Sequence, residues 1–305
     1  MKKKAFILSS LLVLSLAACS SSQSVPPSQP ASVEQKDSAE AETEVEDAKE
    51  ETQESTANEI TIPDGEIFNQ DGIKISTTGY DPDGFWGPAI KLLIENDSEK
   101  NITVQARNGS VNGYMIDYQM SCDVIPGKKA NDTLEISRSQ LESSGIDTLA
   151  DLEFSFHIFD SESWDTIIDS DIIHIATSAA EGHTQAYDDS GDVLYDGNNV
   201  RIISKGLMVD DILGPRFYLY IENNSDQNIT VQARDTSVNG FMIDPSISAE
   251  VLAGKKIFDD MTFLSTQLEE NNITDINEIE TSFHIFASDS WDTIVDTDPI
   301  VISFE

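Results

Sequence analysis

The sequence predicts an all-β protein: two tandem β-sandwich domains carried behind a leader and an acidic tether. Two observations predict it. The chain repeats itself at a fixed offset of 127 residues, and each copy is a series of short apolar runs punctuated by turn residues. Ile94 to Asp117 reads IENDSEKNITVQARNGSVNGYMID, and Ile221 to Asp244 reads IENNSDQNITVQARDTSVNGFMID. The offset then holds without a gap. It pairs Gly127-Lys128-Lys129 with Gly254-Lys255-Lys256, SFHIF at Ser155 with SFHIF at Ser282, and SWDTIIDSD at Ser163 with SWDTIVDTD at Ser290. Residues 60–177 and 187–305 therefore form two repeats, each long enough for its own core, with residues 178–186 as a polar linker.

The elements follow in chain order. Lys2, Lys3 and Lys4 precede an apolar stretch from Ala5 to Leu16, which is too short to span a bilayer. It ends in Leu16-Ala17-Ala18-Cys19, which resembles the bacterial lipobox, in which the signal is cut before the Cys and lipid is attached to its sulfur. Residues 1–18 are thus expected to be a lipoprotein signal peptide and Cys19 the lipidation site. Residues 19–58 are rich in Ser, Pro, Glu and Thr and bury too little apolar surface to offset ordering entropy, so they read as an extended tether. Loss of the signal removes three lysines and no acid, which carries the net charge from −38 to −41. Such a chain repels nucleic acid and anionic headgroups. Cys122 is left alone, with Ala249 as its counterpart, and reads as a small buried residue.

Inside each repeat the pattern is β. The runs Leu92 to Glu95 and Ile102 to Arg107 are split by the turn cluster Asn96-Asp97-Ser98. Val111-Asn112-Gly113-Tyr114 carries the Asn-Gly pair of a type I′ hairpin turn, and Pro126-Gly127 suits a type II turn. Phe154, Phe156 and Ile158 alternate with Ser155 and His157. One short helix is expected, started by a capping box at Ser139 and Glu142 (Thr266 and Glu269 in the second repeat) and stopped at Gly145 or Asn272 in the left-handed conformation. Short strands, frequent turns and no long helix predict an immunoglobulin-like sandwich.

The lipobox, the acidic tether and the repeated NITVQAR, SVNG, GKK, SFHIF and SWDTI segments together resemble the tandem Ig-like domains of extracytoplasmic lipoproteins from Gram-positive, gut Firmicutes-type bacteria. The resemblance covers the leader and both repeats. It implies a fold and a location, on the cell membrane through the lipid and facing the extracytoplasmic side. It implies no activity.

The repeats are alike in patches and divergent between them, as at Tyr118-Gln119-Met120 against Pro245-Ser246-Ile247. A shared constraint holds the alike patches, and folding is a constraint as much as function. Trp164 and Trp291 open the return strand of a hairpin. If Trp164 shares a face with Thr166 and Ile168, it enters the core beside the phenylalanines, and its loss should cost about 3–5 kcal/mol. The other reading is an exposed platform on which a sugar or peptide stacks. Trp86, in DPDGFWG, is a stacking candidate in the first repeat alone, because its counterpart is Leu213. Asp165, Asp169 and Asp171, and likewise Asp292, Asp296 and Asp298, are candidate Ca²⁺ ligands only if a bulge gathers them, since alternate strand residues lie roughly 6.5–7 Å apart. Otherwise they are solvated edge charges. His157 and His284 are expected to be hydrogen-bonded structural residues. Arg107 and Arg234 are isolated cations, suited to a salt bridge with Asp117 or Asp244 or to recognition of a ligand carboxylate.

No nucleophile elbow, phosphate-cradling loop or HExxH is present, and no enzyme activity or obligate cofactor is expected. The expected function is that of a lipid-anchored, non-catalytic binding protein of the bacterial envelope. Its partner would be an envelope or extracellular protein, its ectodomain monomeric, and its tandem copies a source of avidity. The rival is an extracytoplasmic receptor for a small ligand or a divalent cation such as Ca²⁺, associated with a transporter.

Overall fold

The computed structural model describes residues 60–209 and 214–304. The leader, Cys19 and the tether lie outside the described residues. The first repeat comprises β1 (Gly65–Gln70), β2 (Ile73–Asp81), β3 (Ala89–Asn96), β4 (Ile102–Val111), β5 (Tyr114–Met115), β6 (Tyr118–Gln119), β7 (Ser121–Val124), β8 (Lys128–Ile136), α1 (Arg138–Ser143), β9 (Asp151–Asp160), β10 (Thr166–Asp169) and β11 (Ile173–Ala176). The second comprises β12 (Asp192–Gly197), β13 (Val200–Met208), β14 (Arg216–Asn223), β15 (Ile229–Val238), β16 (Phe241–Met242), β17 (Ala249–Val251), β18 (Lys256–Thr262), α2 (Ser265–Glu270), β19 (Glu278–Ala287), β20 (Thr293–Asp296) and β21 (Ile300–Ser303).

Each repeat is a sandwich. In the first, β1, β2 and β3 form an antiparallel meander extended by β8. Opposite it, β7 and β5 pair β4, β4 pairs β9, and β10 and β11 pair β9 in succession. The chain changes sheet from β3 to β4, from β7 to β8, and through α1 from β8 to β9. The order β2-β3-β8 facing β7-β4-β9-β10 is that of the A-B-E and C′-C-F-G strands of an immunoglobulin-like sandwich. The second repeat follows the same plan, with β12-β13-β14-β18 facing β17-β15-β19-β20. Alternation places Leu92, Val104, Phe154, Phe156 and Ile158 in the first core and Leu219, Val231, Phe283 and Ile285 in the second.

Local turn chemistry explains much of this. Asn112 and Gly113 have φ of 51° and 85°, and Asn239 and Gly240 have 50° and 81°, as a type I′ turn requires. Gly145 at φ 63° and Asn272 at φ 57° end the two helices. Gly145 N donates to Glu142 O at 3.1 Å and Ile146 N to Leu141 O at 2.9 Å, which is a Schellman motif. The expected capping box does not form. The helices start at Ser137 and Leu264 with no side-chain cap, which leaves Ser139 and Thr266 already inside the first turn. Instead Gln140 grips Asp117, accepting from its backbone N–H at 2.6 Å and donating to its carboxylate at 2.9 Å.

The repeats are joined within one compact unit. Tyr114 of β5 pairs in parallel with Lys256 of β18, so the second sheet of repeat 1 continues into the first sheet of repeat 2. Tyr114 is fully buried, stacked on Phe258 at 5.7 Å between ring centroids and flanked by Tyr187 at 5.4 Å and Tyr220 at 6.2 Å. Glu153 pairs with Lys255 across the junction. Segment 178–186 is laid on repeat 1, where Gln185 accepts from Asn112 Nδ2 at 2.8 Å.

A groove of about 340 Å³ beside the junction has Asp117 on one wall and Asp259 on the other. Burial pushes the Asp259 carboxyl up to about 6, against a hydrogen bond from the Asp260 backbone N–H and with smaller help from the Asp260 and Asp117 charges. A carboxyl raised on folding holds its proton more tightly in the native state. Its share of stability is therefore full below the unfolded value near 4 and is lost as pH rises through 6. Asp259→Asn should raise the unfolding free energy at pH 7.5 by up to about 3 kcal/mol, read from urea denaturation, and leave it little changed at pH 4. An Asn variant that shifts both pH values equally would rule out this assignment.

Candidate functional site

The positions identical in both repeats fall into two groups. One group is buried and explained by folding. Asn96 and Asn223 are fully buried and each donates from Nδ2 to two backbone carbonyls. Asn112 and Asn239 each accept from two successive backbone N–H groups at the entry to the F-position strand.

The other group points outward from the second sheet. Register places Thr103, Gln105 and Arg107 of β4 opposite Phe159, His157 and Ser155 of β9, with Asp169 of β10 beside His157. The second repeat places Thr230, Gln232 and Arg234 opposite Phe286, His284 and Ser282, with Asp296 beside His284. These outward residues are identical in the two copies, and so is most of the core beneath them: Ile102, Val104, Phe156 and Ile158 recur as Ile229, Val231, Phe283 and Ile285, while buried Phe154 is replaced by Thr281. A sandwich needs its inward positions to pack and leaves its solvated face free to vary. Packing accounts for the identity of the core, but it does not by itself require the outward Gln, Arg and His to be the same in both copies.

Trp164 and Trp291 crown this face. The sequence expectation that Trp164 is buried in the core is corrected here. Trp164 is 74% exposed and Trp291 75% exposed. The cause is local. The turn closes with Trp164 N donating to Asp160 O at 2.8 Å, which holds Trp164 at φ 64°, and a bulge between Thr166 and Ile168 breaks the alternation on which burial was argued. Ile168 enters the core and Thr166 does not. Each indole lies along the outward Phe of the neighbouring strand, Phe159 at 5.4 Å and 17°, Phe286 at 5.4 Å and 14°. Its other face meets solvent.

A left-handed backbone disfavours a bulky residue, and Gly or Asn would relieve it. Two positions of this turn vary, Asp160 replaced by Ala287 and Glu162 by Asp289, yet Trp291 keeps φ 64°. The backbone therefore does not select Trp; the exposed ring does. Trp164→Gly should leave the urea midpoint within about 1 kcal/mol of wild type, because relief of about 1–3 kcal/mol of strain offsets about 0.5–1.5 kcal/mol of lost ring contact. A loss of 3 kcal/mol or more would restore the core reading.

The remaining candidates sort by contact. His157 Nδ1 donates to Asp169 Oδ1 at 2.5 Å and His284 Nδ1 to Asp296 Oδ1 at 2.6 Å, so both histidines are hydrogen-bonded through one ring nitrogen. Asp165 and Asp292 accept from Ser163 and Ser290 hydroxyls at 2.9 Å. The bulge does not gather Asp165, Asp169 and Asp171, or Asp292, Asp296 and Asp298, into a ligand set. Among the described residues the converging set is Asp151, Glu153 and His174. The expected ion pairs of Arg107 with Asp117 and of Arg234 with Asp244 are absent. Arg107 is exposed without a partner among the described residues, and Arg234 donates to Gln232 Oε1 at 3.0 Å. Trp86 is 58% exposed and edge-on to Phe85 at 5.0 Å, but it stands at the end of the opposite sheet, in the β2–β3 loop. Leu213 lies outside the described residues. Cys122 is buried on β7, and burial with the Asp132 carboxylate pushes its thiol up to about 12, which leaves it unreactive at neutral pH.

Sequence reasoning missed the junction. The signal was present: Ile203, Tyr220 and Phe258 stand where the first repeat has Ser76, Leu93 and Asn131. No family model matches the chain, and no curated protein matches it. Among solved structures, a crystal structure of the YadV chaperone matches at 11% identity, covering 76% of this chain and 100% of that one, with a TM-score of 0.24. At that score the likeness carries no argument about what this chain does.

Proposed function

We propose that the chain is a lipid-anchored, non-catalytic binding protein of the bacterial envelope, and that its contact surfaces are the outward faces crowned by Trp164 and Trp291. The observation that carries the reading is a strained, solvent-facing Trp kept in both repeats, each stacked on an outward face whose residues are the same in the two copies. The lipid on Cys19 would hold the protein at the membrane, and the tether would lift both faces away from it. Two experiments test the two halves of the proposal. Cys19→Ala should release the protein from membranes or leave the precursor uncut; unchanged processing and fractionation would exclude the anchor. The lipid-free mature chain should capture material from envelope fractions, and the Trp164→Gly/Trp291→Gly variant should lose that capture. Equal capture by both forms would exclude the faces.

A second reading, a divalent-cation receptor, has one observation in its favour. Asp151, Glu153 and His174 hold ligand atoms within 4.8 Å of one another. Two features weigh against it. Glu153 is already paired with Lys255, and His174 faces Val301 at the repeat offset, so the set exists once.

A further inference from the structure

We infer that the two Trp-crowned faces bind an uncharged glycan with a repeating unit, an inference that rests on the binding reading above. Four observations carry it.

The first is the shape of the platform. The indole of Trp164 is backed by Phe159 and open on its other side, and Trp291 is placed alike on Phe286. A small ligand needs a concavity that buries most of its surface. A flat aromatic face instead suits the C–H-bearing face of a pyranose ring, whose weakly positive hydrogens meet the negative face of the π system.

The second is the polar fringe. His157 is held by Asp169 through Nδ1, Asp165 accepts from Ser163 and Gln105 donates to Ser121, while Arg107 on the same face has no partner among the described residues. Each keeps hydrogen-bonding capacity beyond these bonds, and such a mixture of donors and acceptors matches sugar hydroxyls and amides better than it matches apolar side chains. An extended peptide would instead be expected to add to a strand edge.

The third is charge. With a net charge of −41 after signal removal, the chain repels polyanions, so acidic glycans are disfavoured.

The fourth is duplication. Two identical faces within one compact unit gain from a ligand only if that ligand offers the same unit twice. A polymer of repeating sugars does so.

The test uses the mature chain made without its signal and with Cys19→Ser. Envelope fractions are divided into three: untreated, protease-treated, and with their glycan destroyed by periodate. Capture should survive protease, vanish after glycan removal, and be competed by a panel of neutral hexasaccharides. Trp164→Gly and Trp291→Gly should each weaken capture at least tenfold, and together at least a hundredfold. An unchanged urea midpoint would show that these variants remain folded. Capture that survives glycan removal and is lost to protease, or that acidic but not neutral sugars compete, would overturn the glycan inference and leave the binding proposal standing. Capture that ignores both Trp substitutions would overturn the two together.

Discussion

Tyr114→Ala is expected to destabilise the protein by about 3–5 kcal/mol and to split its unfolding into two transitions. Tyr114 is the residue through which the sheets of the two repeats become one, and it is buried among Tyr187, Tyr220 and Phe258. Truncation leaves a cavity bounded by rings from both repeats and removes the contact that lets one sandwich report on the other. The repeat itself supplies a control. Phe241 occupies the same place in the second Asn-Gly hairpin but is 48% exposed, so Phe241→Ala should cost under about 1 kcal/mol. Calorimetry of the three forms decides the matter. A Tyr114→Ala protein that melts in one unshifted transition would show that the repeats are merely adjacent.

That junction also shows where sequence reading stops. The Asn-Gly turns, the αL stops at Gly145 and Asn272 and the alternation of Phe154, Phe156 and Ile158 were legible because each is fixed by chemistry within a few residues. The facing of Trp164 was not. It depends on a bulge and a left-handed turn residue, and neither leaves a mark in a sequence that places Trp where Gly or Asn is usual. The ion pair expected for Arg107 failed for a related reason, since Asp117 is engaged by Gln140 on another element, and Arg234 turns instead to Gln232 on its own strand. Comparison of the repeats proved informative in both directions. Positions alike on the outer face mark the candidate site. Positions that differ, such as Tyr220 against Leu93 and Phe258 against Asn131, mark the one interface that is not duplicated.

Asn96→Ala should cost about 3 kcal/mol, and Asn223→Ala should cost about the same in the other repeat. Asn96 ends β3, where the chain leaves one sheet for the other. Its Nδ2 donates to Lys100 O at 2.8 Å and to Val124 O at 2.7 Å, while Oδ1 accepts from Ser98 N at 3.0 Å and Ser98 Oγ at 2.6 Å. One side chain thus ties the crossover loop, the start of β4 and the end of β7. Asn223 does the same with Gln227 and Val251 at 2.8 and 2.9 Å, although the two loops differ in sequence, DSEK against NSDQ. Alanine strands two carbonyls with no donor, and each orphaned buried group costs about 1–3 kcal/mol. Asn96→Asp separates the donor role from mere polarity. It keeps the acceptor for Ser98 but turns a second oxygen toward the two carbonyls, so its carboxyl should titrate well above the ordinary range and be tolerated only when protonated. The urea midpoint of Asn96→Asp, relative to wild type, should therefore improve as pH falls from 7 to 4, because the native state then holds a proton the unfolded state lacks. A pH-independent deficit, or an alanine variant as stable as wild type, would remove Asn96 from the account of how the two sheets are held together.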